Sequence, residues 1–238
     1  MQIESHHSSA AGRKGINQDA VLETFISNEM CWAAIADGIG GKLGGDQASS
    51  LAIEAVRVAI EADPTLSAAD VAKRAKERLD IAAASQENLQ EMGTTLTILR
   101  INGAYAQVAH TGDTRIYHLR NEGILSRTVD QTEVQSLLDQ GILSKPEAKR
   151  YPRRNVLLNY LSPVKDLELY IQDFEVESKD RLVLLTDGVY KILNKRKIRE
   201  ISLDSKNTRH FVQEVSDYIH NIGPVDDYTI CAVDILAI

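Results

Sequence analysis

Cysteine is almost absent, with only Cys31 and Cys231 in 238 residues. Both lie inside apolar, strand-like runs, which predicts two buried, unpaired thiols in a reducing compartment; a disulfide between them is the alternative. There is no Cys-x-x-Cys pair and no Gly-x-Ser-x-Gly elbow, so neither motif supplies a nucleophile. No histidine pair has the spacing of a metal site, and ordinary surface or strand roles are expected for all six. No apolar run is long enough to span a bilayer, and Met1-Gln2-Ile3-Glu4-Ser5-His6-His7 carries no apolar leader. A cytoplasmic chain with no membrane association is therefore expected. Basic charge is also short: the net charge is −7, which argues against a dedicated nucleic-acid binder, because phosphate neutralisation needs a basic face. Internal repeats, low-complexity tracts and linkers are missing too.

What remains is the composition of an ordinary globular domain, long enough for one large core. Residues 20–25 and 30–36 read as strands about a Ser27-Asn28-Glu29 turn, the second apolar enough to be buried on both faces. Ala48, Leu51, Ala52, Ala55, Val58, Ala59 and Ala62 then recur along one face of a helix from Gly45 to Ala62. A second helix is expected from Ser67 to Leu89, with Ser67 as its N-cap and Asp70 three residues on. Strand chemistry returns at 94–100. Asn102-Gly103 predicts a hairpin turn into 104–110, and a further pair spans 115–120 and 124–127. Residues 131–165 break the pattern with a short helix (Glu133 to Gln140), a Gly141 stop and a Pro- and Arg-rich stretch, and read as an insertion. A buried strand at 181–186, a helix at 209–220 and a closing strand at 228–236 complete a layered α+β sandwich in one domain.

Five aspartates stand in turns at the ends of apolar runs: Asp19, Asp37, Asp113, Asp187 and Asp226. A carboxylate at the mouth of a buried strand is costly to leave unpaired, so the set calls for a shared counter-charge. Hard divalent cations bound through oxygen supply one, which points to a two-metal hydrolytic centre. Any one Asp-Gly turn alone is ordinary turn chemistry.

The motifs in order are more telling. Gly12-Arg13-Lys14-Gly15-Ile16-Asn17-Gln18-Asp19, Ala36-Asp37-Gly38-Ile39-Gly40-Gly41, Gly93-Thr94-Thr95, Thr111-Gly112-Asp113-Thr114-Arg115, Thr186-Asp187-Gly188 and Asp226-Asp227-Tyr228-Thr229-Ile230 follow one another. From about residue 5 to 236 the chain resembles the metal-dependent serine/threonine protein phosphatases of the type 2C class, in a compact bacterial form. The resemblance implies an α-β-β-α sandwich of two antiparallel sheets with a flap at about 131–165. It implies two core ions, Mn2+ or Mg2+, with Asp37 bridging them and the Gly38 carbonyl on one. Asp187 and Asp226 would complete the first ion, and Asp19 would hold the second, directly or through water. A bridging water would then attack phosphoserine or phosphothreonine in a protein substrate, with no side-chain nucleophile. A monomer acting in signalling is implied.

Two departures from the family pattern bear on chemistry. Lys14 stands where the family often has a phosphate-clamping arginine, and a lysine binds phosphate as a point charge without the bidentate fork. Ile39 stands where animal members have a histidine, so water must protonate the leaving group. Asp113 and Asp187 are the residues that can share a third, weaker cation, but Lys191 occupies the position of an additional carboxylate and could pair with Asp113 instead. The glycines of 38–45 do not form a Walker loop, because Leu43 replaces the Ser/Thr. Lys145, Lys149, Arg150, Arg153 and Arg154 make a basic run within the expected flap, and Lys195-Arg196-Lys197 with Arg199 reads as solvated surface. The rival functions are a phosphoprotein-binding pseudophosphatase and a small-molecule phosphoester hydrolase. Turnover of p-nitrophenyl phosphate tests the first, and a panel of phosphopeptides against nucleotides the second.

Overall fold

The chain order is β1 (Gln2–Ala10), β2 (Asp19–Ser27), β3 (Met30–Asp37), α1 (Gly45–Ala62), α2 (Ala68–Ser85), β4 (Leu96–Asn102), β5 (Tyr105–Thr111), β6 (Arg115–Arg120), β7 (Gly123–Ser126), α3 (Glu133–Asp139), α4 (Lys145–Ala148), β8 (Tyr170–Glu175), β9 (Arg181–Leu185), α5 (Asp187–Tyr190), α6 (Lys195–Asp204), α7 (Thr208–Ile222) and β10 (Tyr228–Ala237). The structure is a computed structural model that describes residues 1–13, 15–27, 30–39 and 44–238. Two five-stranded sheets form, ordered β1-β10-β9-β6-β7 and β2-β3-β4-β5-β8, with every strand pairing antiparallel.

Strand β3 shows how the layers arise. Its side chains alternate, as the strand period requires. Cys31, Ala33 and Ile35 join Leu99, Val108, Ile116, Leu182, Leu184, Cys231 and Val233 between the sheets. Trp32, Ala34 and Ala36 face the other way, into a cluster with Ala48, Ala52, Val56, Val71, Ala75 and Leu79 of α1 and α2. A third cluster sets Ile198, Phe211, Val215 and Ile219 of α6 and α7 against Tyr117, Val183, Leu185 and Ile230 of the first sheet. Helix pair, sheet, sheet, helix pair is the resulting order, and each large apolar side chain buried in it contributes about 1.5–3 kcal/mol.

Local chemistry sets the boundaries. Ser67 accepts the Asp70 amide, Asn194 the Lys197 amide and Asn207 the His210 amide, each satisfying an otherwise orphan donor at a helix start. The Arg181–Asp234 pair is buried, and the Thr208 hydroxyl donates to Asp234, which fastens the start of α7 to β10. Gly103, at φ 56°, makes the expected hairpin between β4 and β5.

Some expectations need correction. The second helix ends at Ser85, and Glu87–Leu89 is a separate 3-10 turn. The strand reading of His6-His7 holds in β1, whereas strand β8 and helix α6 were not expected as elements of the fold. Strand β1 is mostly polar because it is an edge strand, and α6 buries only Ile198 and Ile201. Both cysteines are free and buried, and burial pushes each thiol up to about 12. No helix among the described residues is long and apolar enough to cross a membrane.

Candidate active site

The strands deliver the aspartates to one edge of the seam between the sheets. Asp19 opens β2 and Asp37 closes β3, directly opposite each other in the antiparallel register. Asp187 is the first residue of α5, two residues after the end of β9, and Asp226 stands two residues before the start of β10 in the same sheet. Asp113 lies in the β5–β6 turn, where the chain crosses between sheets and Gly112 takes φ 111°. Asp37, Asp113, Asp187 and Asp226 line one cleft of about 390 Å³ together with Gly38, Ile39 and Lys191. Asp19 does not line it. It sits behind, 9% exposed, with Oδ2 accepting from the Thr186 hydroxyl at 2.8 Å.

These carboxylates crowd one another. Burial, then the charges of Asp19, Asp187, Asp113 and Asp226, hold the Asp37 carboxyl well above the usual carboxylate range. Burial also raises Asp19 to about 7, against the pull of hydroxyls from Thr229 and Thr186. Asp113 is raised to about 6 by burial and by Asp187 and Asp130, while the Tyr190 hydroxyl, 3.0 Å from Oδ2, works the other way.

Among the described residues one ammonium is bonded into this charge. Lys191 Nζ is bonded to Asp187 Oδ2, at the i,i+4 spacing, and not to Asp113 as the sequence suggested. Burial lowers the Lys191 pKa, but Asp187, Asp113 and Asp226 more than offset it and leave it raised. Among the described residues no three His, Cys, Asp or Glu side chains already form a closed metal cluster. What the cleft offers is an all-oxygen, mutually repelling donor set on which a lysine stands as one positive charge. That chemistry fits hard divalent cations.

Several supporting residues escaped the sequence reading. Asp227 Oδ1 accepts the Gly12 amide and its Oδ2 the Gln18 amide, both at 2.8 Å, so this side chain clamps both ends of the segment that carries Lys14. Lys14 itself lies outside the described residues. The Thr95 hydroxyl accepts the Asp37 amide at 2.8 Å, and Thr186 Oγ1 accepts the Thr229 amide at 2.9 Å. Arg115 holds Asp130 through two hydrogen bonds and stacks on the Tyr190 ring at 3.6 Å. The only sequence signal for Asp227 was its place beside Asp226. Close packing explains two glycines: a Cβ on Gly12 would meet the Asp226 backbone at 2.3 Å, and one on Gly188 the Asp227 carbonyl oxygen at 1.9 Å.

The histidines stay outside this site. His110 is buried, with Nδ1 2.8 Å from the Thr97 hydroxyl, and burial lowers its pKa to about 4. His118 is buried against Asp180.

The wall opposite the aspartates comes from the 131–165 excursion. Asn155, Val156, Leu157 and Tyr160 line the cleft. Gln131, at the root of this excursion, is tied to the Asp113 turn: its amide donates to the Gly112 carbonyl at 2.7 Å, and its side-chain oxygen accepts the Gly112 amide at 2.9 Å.

An α-β-β-α sandwich with aspartates gathered at one end of its seam is the architecture of a known phosphatase class. The family model described as protein phosphatase 2C matches residues 8–226. The chain belongs to this family. It is 30% identical over 214 residues to the serine/threonine protein phosphatase PstP of Mycobacterium tuberculosis, covering 85% of this chain and 40% of that protein, so it spans well under half the length of that relative. It is 28% identical to protein phosphatase PhpP of Streptococcus pneumoniae, covering 93% of each. The solved catalytic domain of PstP in complex with two manganese ions superposes with a TM-score of 0.84 at 25% identity, over 98% of this chain and 97% of that one.

Proposed function

We propose that this chain is a metal-dependent phosphatase that hydrolyses phosphoserine and phosphothreonine in proteins. The observation that carries this reading is the crowding of Asp37 by four other carboxylates at the seam. Such a set is costly without cations and well suited to them. Asp37, Asp187 and Asp226, with the Gly38 carbonyl and with Asp19 behind, would hold two ions, manganese or magnesium. Asp113 and Asp187 would give a weak third site, in competition with Lys191. When bound, such ions lower the pKa of water and neutralise charge developing at phosphorus.

The chain's own residues do the rest. Asp227 orders the Gly12–Gln18 segment, from which Lys14 would reach the substrate phosphate as a point charge. Ile39 lines the cleft and offers no proton, so solvent must protonate the leaving alkoxide. The 131–165 excursion would act as a flap within a single catalytic domain. A cytoplasmic monomer acting on phosphoproteins completes the proposal. Manganese-dependent turnover of p-nitrophenyl phosphate and of a phosphothreonine peptide is the test, with Asp37→Asn expected to lower kcat by several powers of ten. Full activity after exhaustive chelation would overturn the proposal. Phosphopeptide binding with no turnover at saturating manganese would make the chain a pseudophosphatase.

A further inference from the structure

The cleft floor is acidic, yet its outer wall grows from a strongly basic stretch of the chain. Lys145, Lys149, Arg150, Arg153 and Arg154 fall within ten residues of a chain whose net charge is −7, and all five are exposed. The one acid among them, Glu147, is turned back as a helix cap: it accepts both the amide and the hydroxyl of Ser144. Arg153 is spent on Glu133, which it grips through two guanidinium nitrogens while the Tyr151 hydroxyl holds the same carboxylate. Among the described residues no carboxylate pairs with Lys149, Arg150 or Arg154.

This uncompensated charge is fixed beside the cleft. The Val156 amide donates to the Arg153 carbonyl, the Glu133 amide to the Val156 carbonyl, and the Leu158 amide to the Gln131 carbonyl. The basic turn and the wall Asn155–Leu157 are therefore one hydrogen-bonded unit. On the same wall, Lys165 lies over the Tyr160 ring at 4.5 Å, which adds a cation next to another lining residue. An extended peptide advances about 3.3 Å per residue, so flanking side chains within two residues of a bound phosphoresidue stay within a Debye length (about 8 Å at physiological salt) of it.

We infer that Lys149, Arg150 and Arg154 select phosphosites embedded in acidic sequence. This inference rests on the phosphatase reading above and adds its substrate class. None of the three cations lines the cleft, so they would act on the flanks, and their effect belongs in KM and in its salt dependence, not in the chemical step.

Two phosphothreonine peptides decide it, identical except that one has glutamates and the other alanines on either side of the phosphothreonine. The wild-type chain with manganese should favour the acidic peptide roughly tenfold in kcat/KM at low salt, with most of the preference lost by about 0.5 M salt. The triple variant Lys149→Glu, Arg150→Glu, Arg154→Glu should abolish or invert the preference through KM and leave p-nitrophenyl phosphate turnover unchanged. The milder triple Gln variant should lie between the two. Equal use of both peptides by the wild type, or a preference that survives charge reversal, overturns the inference while the phosphatase reading stands. Absence of turnover on both peptides and on p-nitrophenyl phosphate removes the phosphatase reading, and this inference with it.

Discussion

Thr186 and Asp19 join the two sheets: the Thr186 hydroxyl, at the end of β9, donates to Asp19 Oδ2, at the start of β2. The same oxygen accepts the Thr229 amide, so one hydroxyl serves two groups that have no room for bulk water. Thr186→Val keeps the shape and removes both bonds. It should cost about 1–3 kcal/mol, seen as a lowered Tm, because a buried amide is left unsatisfied. Thr186→Ser should recover most of that loss. An unchanged Tm in the valine variant would show that the bridge contributes nothing.

Asp227, which also lines the cleft, is expected to matter for positioning, though less than Asp37. Asp227→Asn replaces one acceptor oxygen by an amide donor facing an N–H, so either the Gly12 or the Gln18 contact must break. With the Gly12–Gln18 segment loosened, kcat/KM should fall roughly ten- to a hundredfold, as expected when a positioning contact is lost. Bound metal, counted by atomic absorption after gel filtration, should change little. A variant with wild-type kcat/KM would assign Asp227 to stability alone.

Lys191, bonded to Asp187, should compete with the proposed cations for that carboxylate. Lys191→Met removes an ammonium from a carboxylate that the proposed metals require. The manganese concentration for half-maximal activity should drop by about three- to tenfold, within the range of a single screened charge interaction. A higher requirement would mean that Lys191 assists the site, for instance by holding Asp187 in place.

The metal-free protein should lose stability as pH rises. Asp19 and Asp113 are raised from an ordinary value of 3.8 to about 7 and about 6. Between those values and 3.8 the folded chain holds protons that the unfolded chain has released, so stability falls as pH rises through this window and levels off above it. In chelator, Tm at about pH 5 should exceed Tm at about pH 8, and Asp37→Asn should flatten the difference. Saturating manganese should shrink or reverse it, because metal binds the deprotonated carboxylates. A metal-free Tm that rises steadily with pH would contradict the charge crowding described here.

The layered fold could be read from β3, α1 and α2 because their apolar periods are long and their caps, such as Ser67, are local. The cleft aspartates could be read because each ends an apolar run in a recognisable turn. The part that escaped depends on distance along the chain. Asp227 finds its partners 215 and 209 residues away. The sequence reading pairs Lys191 with Asp113, although the i,i+4 spacing from Asp187 is the signal that matches the pair the structure shows.

Cys31 and Ala33 are small, and they sit where β3 faces the opposite sheet, with Cys231 among the residues across from them. Their size limits the gap between the sheets, and that gap in turn sets how far Asp19 and Asp37 stand from Asp187 and Asp226. The core therefore works as the spacer of a caliper whose jaws are the two pairs of carboxylates. A wedge such as Ala33→Leu should open the jaws and change which of the proposed cations they would fit.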